Sequence, residues 1–122
     1  MNQKKLEKLL KIWQKRLRIQ DWDIKIKFAR QTELGEVTGI TADGSCNVAS
    51  YSKEAWILIL DPVDRVDSSD SIEHILVHEL LHVAMPAREL KLTFNYDLPE
   101  FVKYEEIVDS LSKVLMEAYN GQ

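Results

Sequence analysis

The stretch from Ala55 to Leu60, AWILIL, is six apolar residues without a break, bounded by YSKE on one side and Asp61-Pro62 on the other. It is too short for an ordinary helix, its side chains suit a pleated surface, and the proline after it stops whatever precedes, so it reads as a strand. With no polar residue along it, that strand is expected to be covered on both faces. The cover has to come from the amphipathic segments around it.

Leu6, Leu9, Leu10, Trp13 and Leu17 recur at helical spacing, with Lys4, Lys5, Lys8, Lys11 and Lys15 between them. This is an amphipathic first helix, whose apolar stripe needs a sheet or another helix to lie on. Trp22, Ile24, Ile26 and Phe28 then alternate with Asp23, Lys25 and Lys27, the period of a strand with one buried face. Gly35, Gly39 and the run Ala42-Asp43-Gly44-Ser45 punctuate the next stretch, and EVTGITA and CNVASYS, on either side of that turn, are expected to pair as strands. Further on, Asp70 followed by Glu73 has the pattern of an N-cap with its reciprocal partner, so a helix should run from about Ser71 until Pro86 ends it. A last helix follows Pro99, with Ile107, Val108, Leu111, Val114, Leu115 and Ala118 on one face and Gly121 past its end. The order predicts an α+β fold in a single domain over 1–122: an N-terminal helix, a small, mostly antiparallel three-stranded sheet, and two further helices.

At 122 residues, 45% of them hydrophobic, the chain can bury a core of its own. One cysteine, Cys46, leaves no internal disulfide, and no basic start leads into an apolar signal segment or a membrane-length span. A soluble, cytoplasmic protein with no membrane contact is the expectation. The net charge of -4 is uneven, since residues 1–30 hold ten of the sixteen Lys and Arg against three acids. Such asymmetry can mark a nucleic-acid surface, but on an amphipathic helix it is the ordinary solvated face, and nucleic acid is not expected as a partner.

The helix over 71–86 contains ILVHELLHVAMP. Residues four apart lie about 6 Å apart on one helix face, so His78 and His82 can aim ring nitrogens at one ion, and neutral imidazole suits Zn2+. Glu79, one position round, cannot share that direction but borders the same space, where a carboxylate can take a proton from a water. All three histidines of the chain, His74, His78 and His82, fall on one stripe of this helix. His74 and His82 are roughly 12 Å apart along the axis, too far for one tetrahedral ion, which leaves His74 beside the site or at the surface. The competing explanation is a helix whose histidines are simply packed and hydrogen-bonded and whose Glu79 is solvated.

A catalytic zinc has three protein ligands and an open position, and no histidine remains to be the third. Cys46, alone in a strand or turn, is better explained as a small packed residue. The carboxylates left are Glu89, Asp97, Glu100, Glu105, Glu106 and Asp109. Within YEEIVDSL, Glu105 and Asp109 are one helical turn apart, so one can bind metal while the other accepts a hydrogen bond from a ligating imidazole. Glu106 points about 100° away from Glu105, and a modest shift of the helix would exchange the two. Glu89 would need a tight reversal after Pro86.

HELLH at 78–82 and the Glu-x-x-x-Asp of 105–109, in this order of elements, resemble the motifs of a minimal gluzincin metallopeptidase. Small zincins of this sort include phage and prophage metallopeptidases and the SprT-like and ImmA/IrrE-like groups. The resemblance spans nearly the whole chain in element order, with two specific motifs. It implies His78, His82 and Glu105 as zinc ligands, Glu79 as catalytic general base, and Asp109 orienting a ligating histidine. It also implies a peptide or protein substrate, hydrolysed by metal-activated water and laid along a sheet edge, NVASYSK in preference to the buried AWILIL. Tyr96 and Tyr104 lie where an oxyanion donor would be useful, but each is expected to be a packing residue. Asp109 departs from the asparagine common in ImmA/IrrE-like sequences, and without a helix-turn-helix module or zinc-ribbon tail the repressor-cleaving and DNA-repair roles of larger relatives do not carry over. The alternative is a non-catalytic zinc-binding phage or mobile-element protein that binds a partner through its basic first helix.

Overall fold

In the computed structural model, which describes residues 1–38, 42–65, 71–86 and 99–121, the lysine-rich start forms helix α1, Gln3–Arg16. Asn2 caps it, its side chain accepting from the Lys5 amide at 2.9 Å. Leu6, Leu10 and Trp13 are buried along the inner stripe while Lys4, Lys5, Lys8, Lys11 and Lys15 stay in water. The chain then reverses through Arg18, whose φ of 59° is left-handed. Buried Gln14 holds this reversal by donating to the carbonyls of Ile19 and Trp22.

Strands β1 (Asp23–Ala29), β2 (Gly44–Ala49) and β3 (Glu54–Leu60) form a sheet of order β1-β3-β2. β1 runs parallel to β3 and β2 antiparallel to it, so the sheet is mixed where a mostly antiparallel one was expected. The expected pairing of EVTGITA with CNVASYS is also corrected. Helix α2, Gln31–Thr38, takes the first part of that segment, residues 39–41 with Gly39 lie outside the described residues, and β2 pairs with β3 through a turn over 50–53. The cause is long-range: Asp64, in the 3-10 turn Pro62–Asp64, accepts from the Gln31 amide and from Arg30, both at 2.8 Å, and so satisfies the start of α2. Leu34, fully buried, then seats α2 on Ala29 and Leu60.

AWILIL is the central strand, but its cover differs from the expectation. Ala55, Ile57 and Ile59 are buried on one face, whereas Trp56 is 39% exposed on the other, flanked in register by Lys25 and Asn47. Among the described residues, the far end of that second face is covered where Leu58 packs against the cluster of Ala29, Leu34 and Leu60.

Helix α3, Ile72–Ala84, begins at Ser71, whose hydroxyl accepts from the His74 amide at 3.0 Å. Asp70, the expected cap, lies outside the described residues. The Glu73 carboxylate accepts from the Trp13 indole at 2.8 Å and from Asn120 at 3.1 Å, tying α3 to α1 and to the residue just past α4. Helix α4, Pro99–Tyr119, buries Phe101, Tyr104, Val108 and Ser112. Val108, Leu111 and Leu115 of the expected stripe pack on the core, but the buried face is rotated toward Phe101 and Tyr104, for Ile107 and Val114 are 49% and 59% exposed and Ala118 is exposed too. Among the described residues, four helices and a three-stranded sheet make an α+β layout, and no helix is long and apolar enough to cross a membrane.

Candidate metal centre

α3 lies between the sheet and α4, with Leu76, Val77, Leu80 and Val83 in the core. That orientation turns the His78 and His82 positions, one turn apart, toward α4, and their ring centroids lie 5.2 Å apart. Glu105 reaches between them from α4: His78 Nε2 is 3.4 Å from Glu105 Oε2 and His82 Nε2 is 3.2 Å from Glu105 Oε1. One ligand atom from each of the three residues lies within 4.8 Å of the others. Donors about 2 Å from a tetrahedral ion stand roughly 3.3 Å apart, and the two nitrogen–oxygen separations, each to a different Glu105 oxygen, lie near that value. Two imidazoles and a carboxylate are a donor set that zinc accepts, as do other divalent transition metals. Glu106 is exposed and pairs with Lys103, Glu100 is exposed, and Glu89 and Asp97 lie outside the described residues.

Around these three sits a ring of supporting groups. Asp109 Oδ1 is 3.6 Å from His78 Nδ1 and 3.5 Å from His74 Nε2, while Lys113 holds its other oxygen at 3.0 Å. His74 is 7% exposed, inside the protein and not at its surface, with Nε2 2.8 Å from the Ser112 hydroxyl. Ser112 in turn donates to the Asp109 carbonyl at 2.7 Å. On the other side His82 Nδ1 is 2.9 Å from the Tyr104 hydroxyl, which donates to the Met85 carbonyl at 2.7 Å. Tyr104 is therefore a hydrogen-bonding neighbour of the site as well as a packed residue; Tyr96 lies outside the described residues. Nothing in local spacing marks Tyr104 or Ser112, because their partners are 22 and 38 residues away.

Glu79 is 7% exposed and faces the edge strand β2, where a Cβ added at Gly44 would stand 3.2 Å from its Oε2. Burial pushes its carboxyl up to about 7, with His78 pulling it back and Glu105 adding to the rise. Burial opposes protonation of His78, yet the bond to Glu105 and the charges of Glu79, Glu105 and Asp109 outweigh it and lift its pKa above the ordinary histidine value. His82, desolvated more than it is helped by Glu105, lies below that value. Burial works against the Glu105 carboxylate too, but His78 and His82 hold it below the usual range. Burial and the nearby Glu79 charge push the Cys46 thiol far up, and burial pushes the Tyr104 hydroxyl up to about 12. Cys46 packs against the core, and it is not one of the three residues whose ligand atoms converge.

An open groove of about 410 Å3 lies against the centre, lined by His78, Phe101, Val102, Glu105, Glu106 and Asp109. His78, Glu79, His82, Glu105 and Asp109, all singled out by their spacing, are thus within one neighbourhood. No family model, curated protein or solved structure matches this chain.

Proposed function

We propose that this protein is a zinc-dependent metallopeptidase that hydrolyses a peptide or protein substrate. The observation that supports it is the convergence of donor atoms from His78, His82 and Glu105, from two helices, beside a buried carboxylate outside that triangle. Zinc bound there would supply Lewis acidity, lowering the pKa of a water and polarising the scissile carbonyl. Glu79 takes the proton of the attacking water and passes it to the leaving amine. Burial raises the affinity of that carboxyl for a proton, which favours its acting as the base. His78 and His82 bind without moving protons, and Asp109, beside His78 Nδ1, orients that ring. The substrate backbone adds to the outer edge of β2, the strand whose Gly44 borders Glu79, by main-chain hydrogen bonds. A substrate side chain enters the groove between Phe101 and Val102.

Metal analysis of the purified protein should find about one equivalent of zinc, lost in His82→Ala and weakened in Glu105→Ala. Glu79→Gln should keep the zinc and lose about 100- to 10,000-fold in peptide hydrolysis. A Glu79→Gln variant that cleaves peptides as fast as the parent would leave only a zinc-holding scaffold acting through partner binding.

A further inference from the structure

The Tyr104 hydroxyl has one proton and two neighbours, the Met85 carbonyl at 2.7 Å and His82 Nδ1 at 2.9 Å. A carbonyl oxygen can only accept, so at that distance the Tyr104 proton points to Met85. The lone pairs left on the tyrosine oxygen then face His82 Nδ1, which has to be the donor. A neutral imidazole carries one N–H, so with the proton on Nδ1 the other nitrogen, Nε2, is bare. That bare nitrogen is 3.2 Å from Glu105 Oε1, so two acceptors face each other where the three donor groups meet, an arrangement that a proton or a cation between them relieves.

We propose that Tyr104 is a positioning residue of this centre: its hydroxyl, committed to the Met85 carbonyl, keeps the His82 proton on Nδ1 and presents Nε2 as a metal ligand. This rests on the metal centre proposed above. Met85 closes the C-terminal end of α3 and Tyr104 stands on α4, so the bond also fixes the histidine's helix end to the helix that brings Glu105. Without the hydroxyl, His82 is free to carry its proton on Nε2, where Glu105 Oε1 would accept it and the ligand position would be blocked. The same bookkeeping removes Tyr104 from the oxyanion role, because its proton is already in use.

Tyr104→Phe in the full chain tests this. In metal-free protein at about pH 8, above the ordinary histidine pKa, nitrogen NMR of the imidazoles should show His82 protonated on Nδ1 in the parent and shifted toward Nε2 in the variant. Zinc affinity, read by competition with a chromophoric chelator, should fall about 10- to 100-fold, and the cobalt-substituted protein should change its visible spectrum. A parent His82 protonated on Nε2 overturns the proposal without any variant, and so does a folded Tyr104→Phe that binds zinc as tightly as the parent. The two readings separate cleanly. A parent that binds zinc and cleaves nothing removes the peptidase and leaves the tyrosine's role standing, whereas equal zinc affinity in parent and variant removes the tyrosine's role and leaves the centre.

Discussion

A methyl group at position 44 would stand 3.0 Å from Ile75 Cγ2, 3.1 Å from the Leu58 carbonyl and 3.2 Å from Glu79 Oε2. Two of these neighbours are hard to move, since one is strand backbone and the other belongs to a core side chain 5% exposed. Glycine at this position is thus a matter of space: the edge strand has to come close to α3 for Glu79 to be buried against it. Gly44→Ala should lower stability by about 1–3 kcal/mol, seen as a lower urea midpoint with an unchanged slope. It should also slow hydrolysis, because the carboxylate is the softest of the three contacts and has to move. An unaltered midpoint would mean that β2 can drift outward and that the close approach is not required. The histidine pair and Glu79 were legible residue by residue, because spacing along one helix is enough to say which side chains share a face. Gly44 and Tyr104 were not, since a missing Cβ or a hydroxyl acquires its meaning only from what another element brings next to it.

Among the elements, α4 separates what periodicity shows from what docking adds. Its apolar residues are plentiful enough to draw more than one helical stripe, and the one expected, through Ile107 and Val114, is half in water. The buried stripe through Phe101, Tyr104 and Val108 is the one that also turns Glu105 and Asp109 toward the histidines. Val108→Ala and Val114→Ala make the same change of side chain on the same helix, at 0% and 59% exposure. The first should cost about 1–3 kcal/mol and the second less than about 0.5 kcal/mol in urea unfolding; equal costs would contradict the observed rotation of α4. Helix α2 depends on a partner further off. The Arg30 guanidinium hydrogen bond, with the Gln31 amide and the Arg30 charge behind it, holds the Asp64 carboxyl below its ordinary value of 3.8. A carboxyl with a depressed folded-state pKa stabilises fully above the unfolded value and loses that contribution as the pH falls through the folded one. Arg30, raised by the same pair, loses its share only in strong alkali. The urea midpoint of Asp64→Asn should therefore lie below that of the parent at neutral pH and converge with it as the pH drops below 3.8, the ordinary aspartate value. A gap that persists in acid would mean that the charge pair is not its source.

For the whole molecule, the centre joins α3 to α4, two helices separated in sequence by residues 85–98. Without metal the Glu105 carboxylate sits between the two imidazoles, 3.4 Å from His78 Nε2 and 3.2 Å from His82 Nε2. A cation in the same place would bind the folded chain in preference to the unfolded one and stabilise it by mass action. Zinc at a hundred times its dissociation constant should contribute about 2.7 kcal/mol, so a chelator should lower Tm in the parent. The same chelator should leave His82→Ala unmoved. A parent whose Tm ignores chelator would sink the metal centre, and with it the peptidase. The hydrogen bonds of Glu73 to Trp13 and Asn120 tie down the opposite end of α3, so both ends of the helix that carries the histidines are anchored before any ligand arrives.

The periods of AWILIL, of the leucines in α1 and of the alternating residues in β1 were enough to name those elements, because burial on one face or two leaves a mark on consecutive residues of the same chain. HELLH and the Glu105–Asp109 turn were legible for the same reason: one turn of helix sets which residues are neighbours. The parallel pairing of β1 with β3, the helix at Gln31–Thr38 that takes the first residues of the expected strand EVTGITA, and the open face at Trp56 left no such mark. Each depends on a contact between distant residues, Asp64 with Gln31 or Lys25 beside Trp56, whose energy exists only after the elements have met. The centre itself is divided along the same line: His78, Glu79 and His82 belong to one helix and its geometry, while Glu105 and Tyr104 of α4 and Gly44 of β2 join them because two separate elements pack on α3.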